Sequence, residues 1–118
     1  MNHSIHTLIA LLCVFALTAT AYSQELEKKV KVSVTWKRHG SDVHVTATVH
    51  NLSGKKLIDP IVRVRFYDKD DQEVASASKA YFTTLGKGAK KRLETRTWSE
   101  IDTTAVRAEG SLDISLFQ

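Results

Sequence analysis

Two stretches decide the fold: KVKVSVTWK at residues 29–37 and VHVTATVH at residues 43–50. In both, apolar residues alternate with polar ones, which is the period of a strand that buries one face and wets the other. A third stretch, VRVRFY at residues 62–67, repeats the alternation. Turn-forming residues occupy positions 40–42 and 68–71, so the pattern predicts strands joined by tight antiparallel turns.

The remaining sequence adds weaker strands. Residues 73–79 alternate less clearly, residues 90–98 are predicted as one extended stretch, and residues 105–117 end the chain. In this last stretch Gly110 predicts a bulge or break. The total is about seven short strands with no long amphipathic helix, which favours an all-β fold: an immunoglobulin-like antiparallel β-sandwich over residues 24–118.

The apolar members of these strands define the expected core of the sandwich. They are Val32, Val34, Trp36, Val45, Val49, Val62, Val64, Phe66, Leu85, Leu93, Val106, Ile114 and Leu116.

Residues 1–23 are different in kind from the rest. The chain has 17 Lys+Arg and 13 Asp+Glu, and none of them lies in this stretch. The apolar run at residues 8–17, followed by Ala21-Tyr22-Ser23, is typical of a signal peptide, and we expect cleavage after Ser23. An uncleaved membrane anchor is the alternative, because the apolar segment is close to the roughly 18-residue minimum for a spanning helix.

Cleavage would leave one domain at residues 24–118 and would remove Cys13, the single cysteine of the chain. The mature protein would then have no disulfide and no thiol for catalysis. The prediction is an exported protein, periplasmic or extracellular, with no stable membrane span after cleavage.

Three short motifs carry a resemblance to a known family. Residues 49–54 read VHNLSG, residues 62–68 read VRVRFYD and residues 85–88 read LGKG. Together they resemble the FxLYD-type and related immunoglobulin-like modules of bacterial envelope proteins, over residues 43–93. The Phe-x-Leu-Tyr-Asp spacing is not kept, and Lys-Gly replaces the usual Pro-Gly of the last turn. The resemblance implies an exported, non-catalytic β-sandwich.

The charge pattern suggests what such a module contacts. The formal net charge of +4 belongs entirely to residues 24–118. We predict a binding or structural module of the cell envelope that makes contact through an exposed sheet face or edge. Arg63, Arg65 and Tyr67 share the outward face of one predicted strand, so we predict that this face binds another envelope or exported protein, or an anionic surface. Nucleic acid is not predicted as a partner, because an exported protein seldom meets it and no RNP-like aromatic pair occurs. Further lysines and arginines cluster at residues 28–31, 55–56 and 87–92.

Two alternatives to this face involve metal ions. His39, Asp42 and His44 lie close in sequence around the first turn, and together they predict a small-ligand or metal site. The acidic turn at residues 68–71 lacks the glycine and glutamate of a full EF-type loop, which leaves only a weak calcium site.

Motifs of enzymes are not found in the sequence. It contains no Gly-x-Ser-x-Gly, no Walker-type pattern and no dinucleotide-type glycine pattern. The prediction is therefore a protein that is not an enzyme and has no cofactor.

Overall fold

A computed structural model describes residues 24–118. The predicted signal peptide, residues 1–23, and its cleavage site lie outside the described residues. A short helix at residues 24–28 precedes the strands, with Leu26 buried. The strands are β1 (Val30–His39), β2 (Asp42–Asn51), β3 (Leu57–Ile58), β4 (Ile61–Tyr67), β5 (Glu73–Ala80), β6 (Thr84–Leu85), β7 (Lys90–Arg92), β8 (Arg96–Trp98), β9 (Arg107–Leu112) and β10 (Leu116–Phe117). No helix within residues 24–118 is long and apolar enough to cross a membrane.

The first sheet is built on the hairpin of β1 and β2. These strands pair antiparallel over their full length, from Val30 opposite Asn51 to His39 opposite Asp42. β7 and β8 both pair with the other edge of β2, with a register that shifts by one residue between them. The stretch at residues 90–98, predicted to be extended, forms two strands along the same edge of β2, and an extra residue at 93–95 separates them, as in a β-bulge.

The second sheet has the order β5-β4-β9, with β4 in the centre. A small third sheet, in the order β10-β3-β6, continues from one end of it. Asp59, between β3 and β4, has a positive φ of 46°. The Asp59 N–H donates to the carbonyl of Thr83 at 2.7 Å, so the chain passes from the small sheet to the second sheet without losing its pairing.

The first and second sheets pack face to face. The rings of Trp36 on β1 and Phe66 on β4 meet edge to face, with centroids 5.8 Å apart. On the other side, Trp98 Nε1 on β8 donates to the carbonyl of Ala77 on β5 at 3.2 Å. The predicted all-β class, an antiparallel sandwich, is confirmed, although residues 24–118 form ten strands rather than about seven.

Most of the predicted core is correct. Val45, Val49, Val62, Val64, Phe66, Leu85 and Leu93 are buried, and Val32, Val34 and Trp36 are half-buried against them. The prediction was wrong for Val106, Ile114 and Leu116, which are 62%, 74% and 56% exposed.

The errors near the end of the chain have a local cause. The Ser115 hydroxyl donates to the carbonyl of Asp113 at 2.9 Å and accepts the N–H of Ile61 at 3.2 Å. This kink interrupts the strand alternation, so that Phe117 rather than Leu116 packs on the core. Val106 lies before β9 begins, and its neighbour Ala105 is buried instead.

Gly110 does not mark the bulge or break that its position in the sequence suggests. β9 runs through it in continuous register, with Gly110 opposite Val64. A Cβ at this position would lie 2.7 Å from Cγ1 of Val34 and 2.8 Å from Cγ1 of Val32. The glycine is needed because β1 packs closely over β9 at this point.

Candidate anion-binding face

The predicted stripe of Arg63, Arg65 and Tyr67 lies on the outer face of β4, where strand alternation places it. Both arginines are paired with carboxylates. Arg63 donates to Asp113 Oδ2 at 3.1 Å, and Arg65 Nε lies 3.3 Å from Glu73 Oε1. The positive charge of this stripe is therefore largely balanced within the sheet.

The ring of Tyr67 also has a partner within the fold. The Arg107 guanidinium lies over its ring, 4.2 Å from the centroid. That guanidinium also pairs with Asp71 at 3.1 Å and with Glu109. The aromatic end of the stripe is thus covered by a cation that already has carboxylate partners.

The Asp113 carboxylate, which pairs with Arg63, accepts two further hydrogen bonds. The Ser78 hydroxyl donates to its Oδ2 at 2.8 Å, and the N–H of Ile114 donates to its Oδ1 at 2.9 Å. These bonds, together with Arg63, hold the pKa of Asp113 below the ordinary 3.8.

The lowered pKa of Asp113 predicts a specific acid sensitivity. A carboxyl with a depressed folded-state pKa contributes stability above its unfolded value, and the contribution is lost as pH falls through the folded value. Asp113→Asn should therefore be less stable than wild type at about pH 7, and the gap should close as pH falls below about 4. Urea unfolding at several pH values measures this, and a gap that stays constant with pH would contradict it. In the control Asp70→Asn, the exposed carboxylate makes no ion pair within residues 24–118, so its stability at about pH 7 should stay within about 0.5 kcal/mol of wild type.

The histidines of the alternative metal site are partly brought together. The rings of His39 and His44 meet edge to face, with centroids 4.4 Å apart. Asp42 Oδ1 instead accepts the backbone N–H of Glu100 at 3.3 Å. Within residues 24–118, no group of three His, Cys, Asp or Glu side chains is arranged to hold a metal ion.

The acidic turn at residues 68–71 uses its carboxylates locally. Asp68 Oδ1 accepts the N–H groups of Asp70 and Gln72 at 2.9 and 3.0 Å, which closes the turn. Asp71 pairs with Arg107. This is the hairpin role that aspartates commonly have.

The outer face of the first sheet carries a basic row that the sequence did not reveal. Antiparallel pairing sets Lys31 of β1 beside His50 of β2, and His50 beside Lys90 of β7. Arg92 follows on β7, opposite Thr48. We call Lys31, His50, Lys90 and Arg92 the basic face.

A shallow hollow of about 220 Å³ lies on the basic face. Lys31, His50 and Lys90 line it together with the hydroxyl residues Ser33 and Thr48. Ammonium, imidazole and hydroxyl groups all donate hydrogen bonds, so the hollow offers the donors that an anion requires.

The cations of the basic face differ from those of β4 in lacking acidic partners. The six ion pairs within residues 24–118 involve none of Lys31, Lys90 and Arg92. Lys31, Lys90 and Arg92 are exposed, and His50 is half-buried. The positive charges of Lys31, Lys90 and Arg92 are therefore exposed to solvent.

The two ends of the sandwich differ in charge. β1, β4 and β7 begin at one end and β2 and β5 finish there. We call it the basic end, because nine of the 17 Lys+Arg lie on it: Lys28, Lys29, Lys31, Lys55, Lys56, Lys87, Lys90, Lys91 and Arg92. Seven of the 13 carboxylates lie at the opposite end: Asp42, Asp68, Asp70, Asp71, Glu73, Glu100 and Asp102. The basic clusters are visible in the sequence, but only the strand pairing shows that they converge.

Asn51 joins the loops of the basic end. Its side chain is fully buried, and Nδ2 donates to the carbonyls of Lys55, Leu85 and Gly86 at 2.7, 3.2 and 3.1 Å. Its Oδ1 accepts the hydroxyl and the N–H of Ser53 at 2.7 and 3.2 Å. One amide thus fixes the loop after β2 to the turn before β7.

A second hollow, of about 260 Å³, adjoins the basic face at β7. Its lining includes Tyr81, Phe82, Lys91 and Arg92. The Tyr81 hydroxyl is buried and has no hydrogen-bond partner within residues 24–118. Burial raises the pKa of Tyr81, which keeps the phenol neutral.

Comparison with known proteins places the fold but no family. The chain matches no protein-family model, and no curated protein matches it in sequence. One similar solved structure is the trimeric lipoprotein SadB of Salmonella enterica. The match spans 99% of this chain and 79% of the SadB chain, with a TM-score of 0.53 and 8% sequence identity. Another is a DUF1425 family member from Shewanella sp. pv-4. This match spans 71% of this chain and 76% of the other chain, with a TM-score of 0.47 and 22% sequence identity. The likeness to SadB is therefore one of fold alone, and the resemblance to FxLYD-type modules remains a likeness of short motifs.

Proposed function

We propose that this protein is a non-catalytic binding module of the bacterial cell envelope that contacts an anionic surface or polymer through the basic face. One observation carries the proposal: Lys31, His50 and Lys90 form a continuous row, and none of them makes an ion pair with a carboxylate within residues 24–118. The two lysines of this row attract anions and raise their local concentration. Its hydroxyl neighbours add neutral hydrogen-bond donors.

Two further observations support a role in the envelope. The sequence of residues 1–23 is typical of an export signal. One structural neighbour, with a TM-score of 0.53, is named as a lipoprotein. Export, cleavage after Ser23 and a periplasmic or extracellular location are parts of the proposal.

The face predicted from the sequence provides the matched comparison. Lys31→Gln/Lys90→Gln and Arg63→Gln/Arg65→Gln each remove two positive charges, so both variants have the same net charge. Binding of inorganic polyphosphate is measured at low and moderate salt. We expect the lysine variant to bind about tenfold more weakly and to lose most of its salt dependence. The arginine variant should stay within about twofold of wild type, because its cations are already paired.

Three outcomes would overturn the proposal. Equal losses in both variants would mean that only net charge matters. Weaker binding by the arginine variant alone would indicate that the site is the face of Arg63, Arg65 and Tyr67. Absence of polyphosphate binding by the wild-type protein would remove the anionic partner.

A further inference from the structure

The exposed apolar side chains of the sandwich gather at its basic end. Within residues 24–118 the large apolar side chains with the greatest exposure are Phe82 at 89%, Ile114 at 74%, Val106 at 62%, Leu116 at 56% and Leu52 at 45%. All except Val106 lie in segments at the basic end. Single exposed apolar residues are ordinary on a protein surface. Four of these five side chains, however, lie at the same end as Lys31, Lys90 and Arg92, and this concentration needs an explanation.

Phe82 is held outward by its neighbours. The Tyr81 N–H donates to the carbonyl of Pro60 at 3.0 Å, and the Thr83 carbonyl accepts the N–H of Asp59 at 2.7 Å. The Thr83 hydroxyl also accepts a hydrogen bond from Lys91. Both sides of Phe82 are thus anchored to the sheets, so its exposure is a fixed feature of the fold.

Phe82 stands beside the cations of β7. It lines the same hollow as Lys91 and Arg92, and the carboxylate in that lining, Glu94, is within 3.9 Å of Arg96. Lys90, the preceding residue of β7, lies on the basic face. Aromatic, ammonium and guanidinium groups therefore form one continuous surface.

We infer that the basic end docks onto an anionic lipid bilayer, with Phe82 entering the interface between headgroups and acyl chains. This inference rests on the proposed function, and it names the anionic partner. Cations near an anionic membrane are attracted by its surface potential, and apolar side chains add affinity only where hydrocarbon is available. A soluble polyanion would use the cations and leave Phe82, Ile114 and Leu116 in water. Charge and apolar surface at one end thus fit a membrane better than a soluble polymer.

Vesicles and polyphosphate separate the two partners. The wild-type protein, Phe82→Ala and Val106→Ala are each titrated with phosphatidylglycerol-containing vesicles, phosphatidylcholine vesicles and inorganic polyphosphate. Of the two kinds of vesicle, we expect the protein to bind only the anionic one, with binding weakened about tenfold by Phe82→Ala and unchanged by Val106→Ala. Polyphosphate binding should stay within about twofold in both variants. Because Phe82 and Val106 are both exposed, neither variant is expected to lose its fold.

A probe at the same position reports insertion directly. In a Cys13→Ser background, the emission of a polarity-sensitive fluorophore on Phe82→Cys should shift to the blue on anionic vesicles. The same fluorophore on Ser99→Cys, at the end opposite the basic end, should show no shift. Lack of a shift at position 82, or equal vesicle binding by Phe82→Ala and wild type, would overturn the inference. If polyphosphate binding persists in that case, the proposed function stands. If the wild-type protein binds neither the anionic vesicles nor polyphosphate, the inference and the proposed function are both overturned.

Discussion

Replacing Asn51 by Ala should lower the free energy of unfolding by about 3 kcal/mol. The loss has two sources. The carbonyls of Lys55, Leu85 and Gly86 would lose a shared buried donor, and a cavity would open where the amide stood. The buried N–H of Ser53 would lose its acceptor, Asn51 Oδ1, and a buried donor left unpaired costs more than the hydrogen bond itself contributes. The carbonyls of Lys55 and Gly86 keep the Ser53 hydroxyl and the Ala89 N–H as donors. For a domain of this size, about 3 kcal/mol is a large part of the total stability.

Two variants assign the loss of stability to the hydrogen bonds. Asn51→Leu fills the volume but provides no donor, so it should be destabilised to a similar extent. Leu52→Ala, one residue away and 45% exposed, should change stability by no more than about 0.5 kcal/mol. Urea unfolding followed by tryptophan fluorescence measures all three. If Asn51→Leu regains wild-type stability, packing rather than hydrogen bonding is the role of Asn51.

Replacing Gly110 by Val should cost about 3 kcal/mol, and replacing it by Ala about half of that. The first added carbon would already lie 2.7 Å from Val34 and 2.8 Å from Val32, so the sheets or the valines must move. Valine side chains are branched at Cβ and adjust χ1 poorly, which makes the clash costly. The gain in strand propensity and the lower entropy of the unfolded chain offset only part of this cost.

Gly86 provides the control for the substitutions at Gly110. A Cβ there would meet nothing within 4 Å, and its φ is not in the left-handed region. Gly86→Ala should therefore stay within about 0.5 kcal/mol of wild type. The steric explanation also predicts that Val32→Ala restores part of the stability lost in Gly110→Ala, with a coupling energy above about 1 kcal/mol. Additive effects in that double variant would contradict a direct clash.

Alternation in the sequence was sufficient to predict the sheets because the period of a strand is two, so Val43 to Val49 and Val62 to Phe66 determine their own buried faces. The prediction failed where a side chain redirects the backbone, as Ser115 does, and that bond cannot be read from a pattern of polarity. It failed also for Gly110, where a glycine serves close packing rather than a bend.

The candidate site was harder to predict because charges are paired by the tertiary fold. Arg63 resembles a free cation in the sequence, yet its partner Asp113 lies 50 residues further along the chain. Lys31 and Lys90 resemble members of two separate clusters, and they become neighbours only because both strands pair with β2. Which cation is neutralised and which is free depends on strand order.

The path of the chain also matters for how the protein is handled experimentally. The helix at residues 24–28 leads into β1 at the basic end, and Gln118 exchanges two backbone hydrogen bonds with Lys56 at that same end. A bulky group attached near residue 24 or near residue 118 would therefore stand close to Lys31, Lys90 and Phe82 and would block their contacts. The turn at residues 68–71, at the opposite end, is the better position for a label or a surface attachment, because it leaves the basic end accessible.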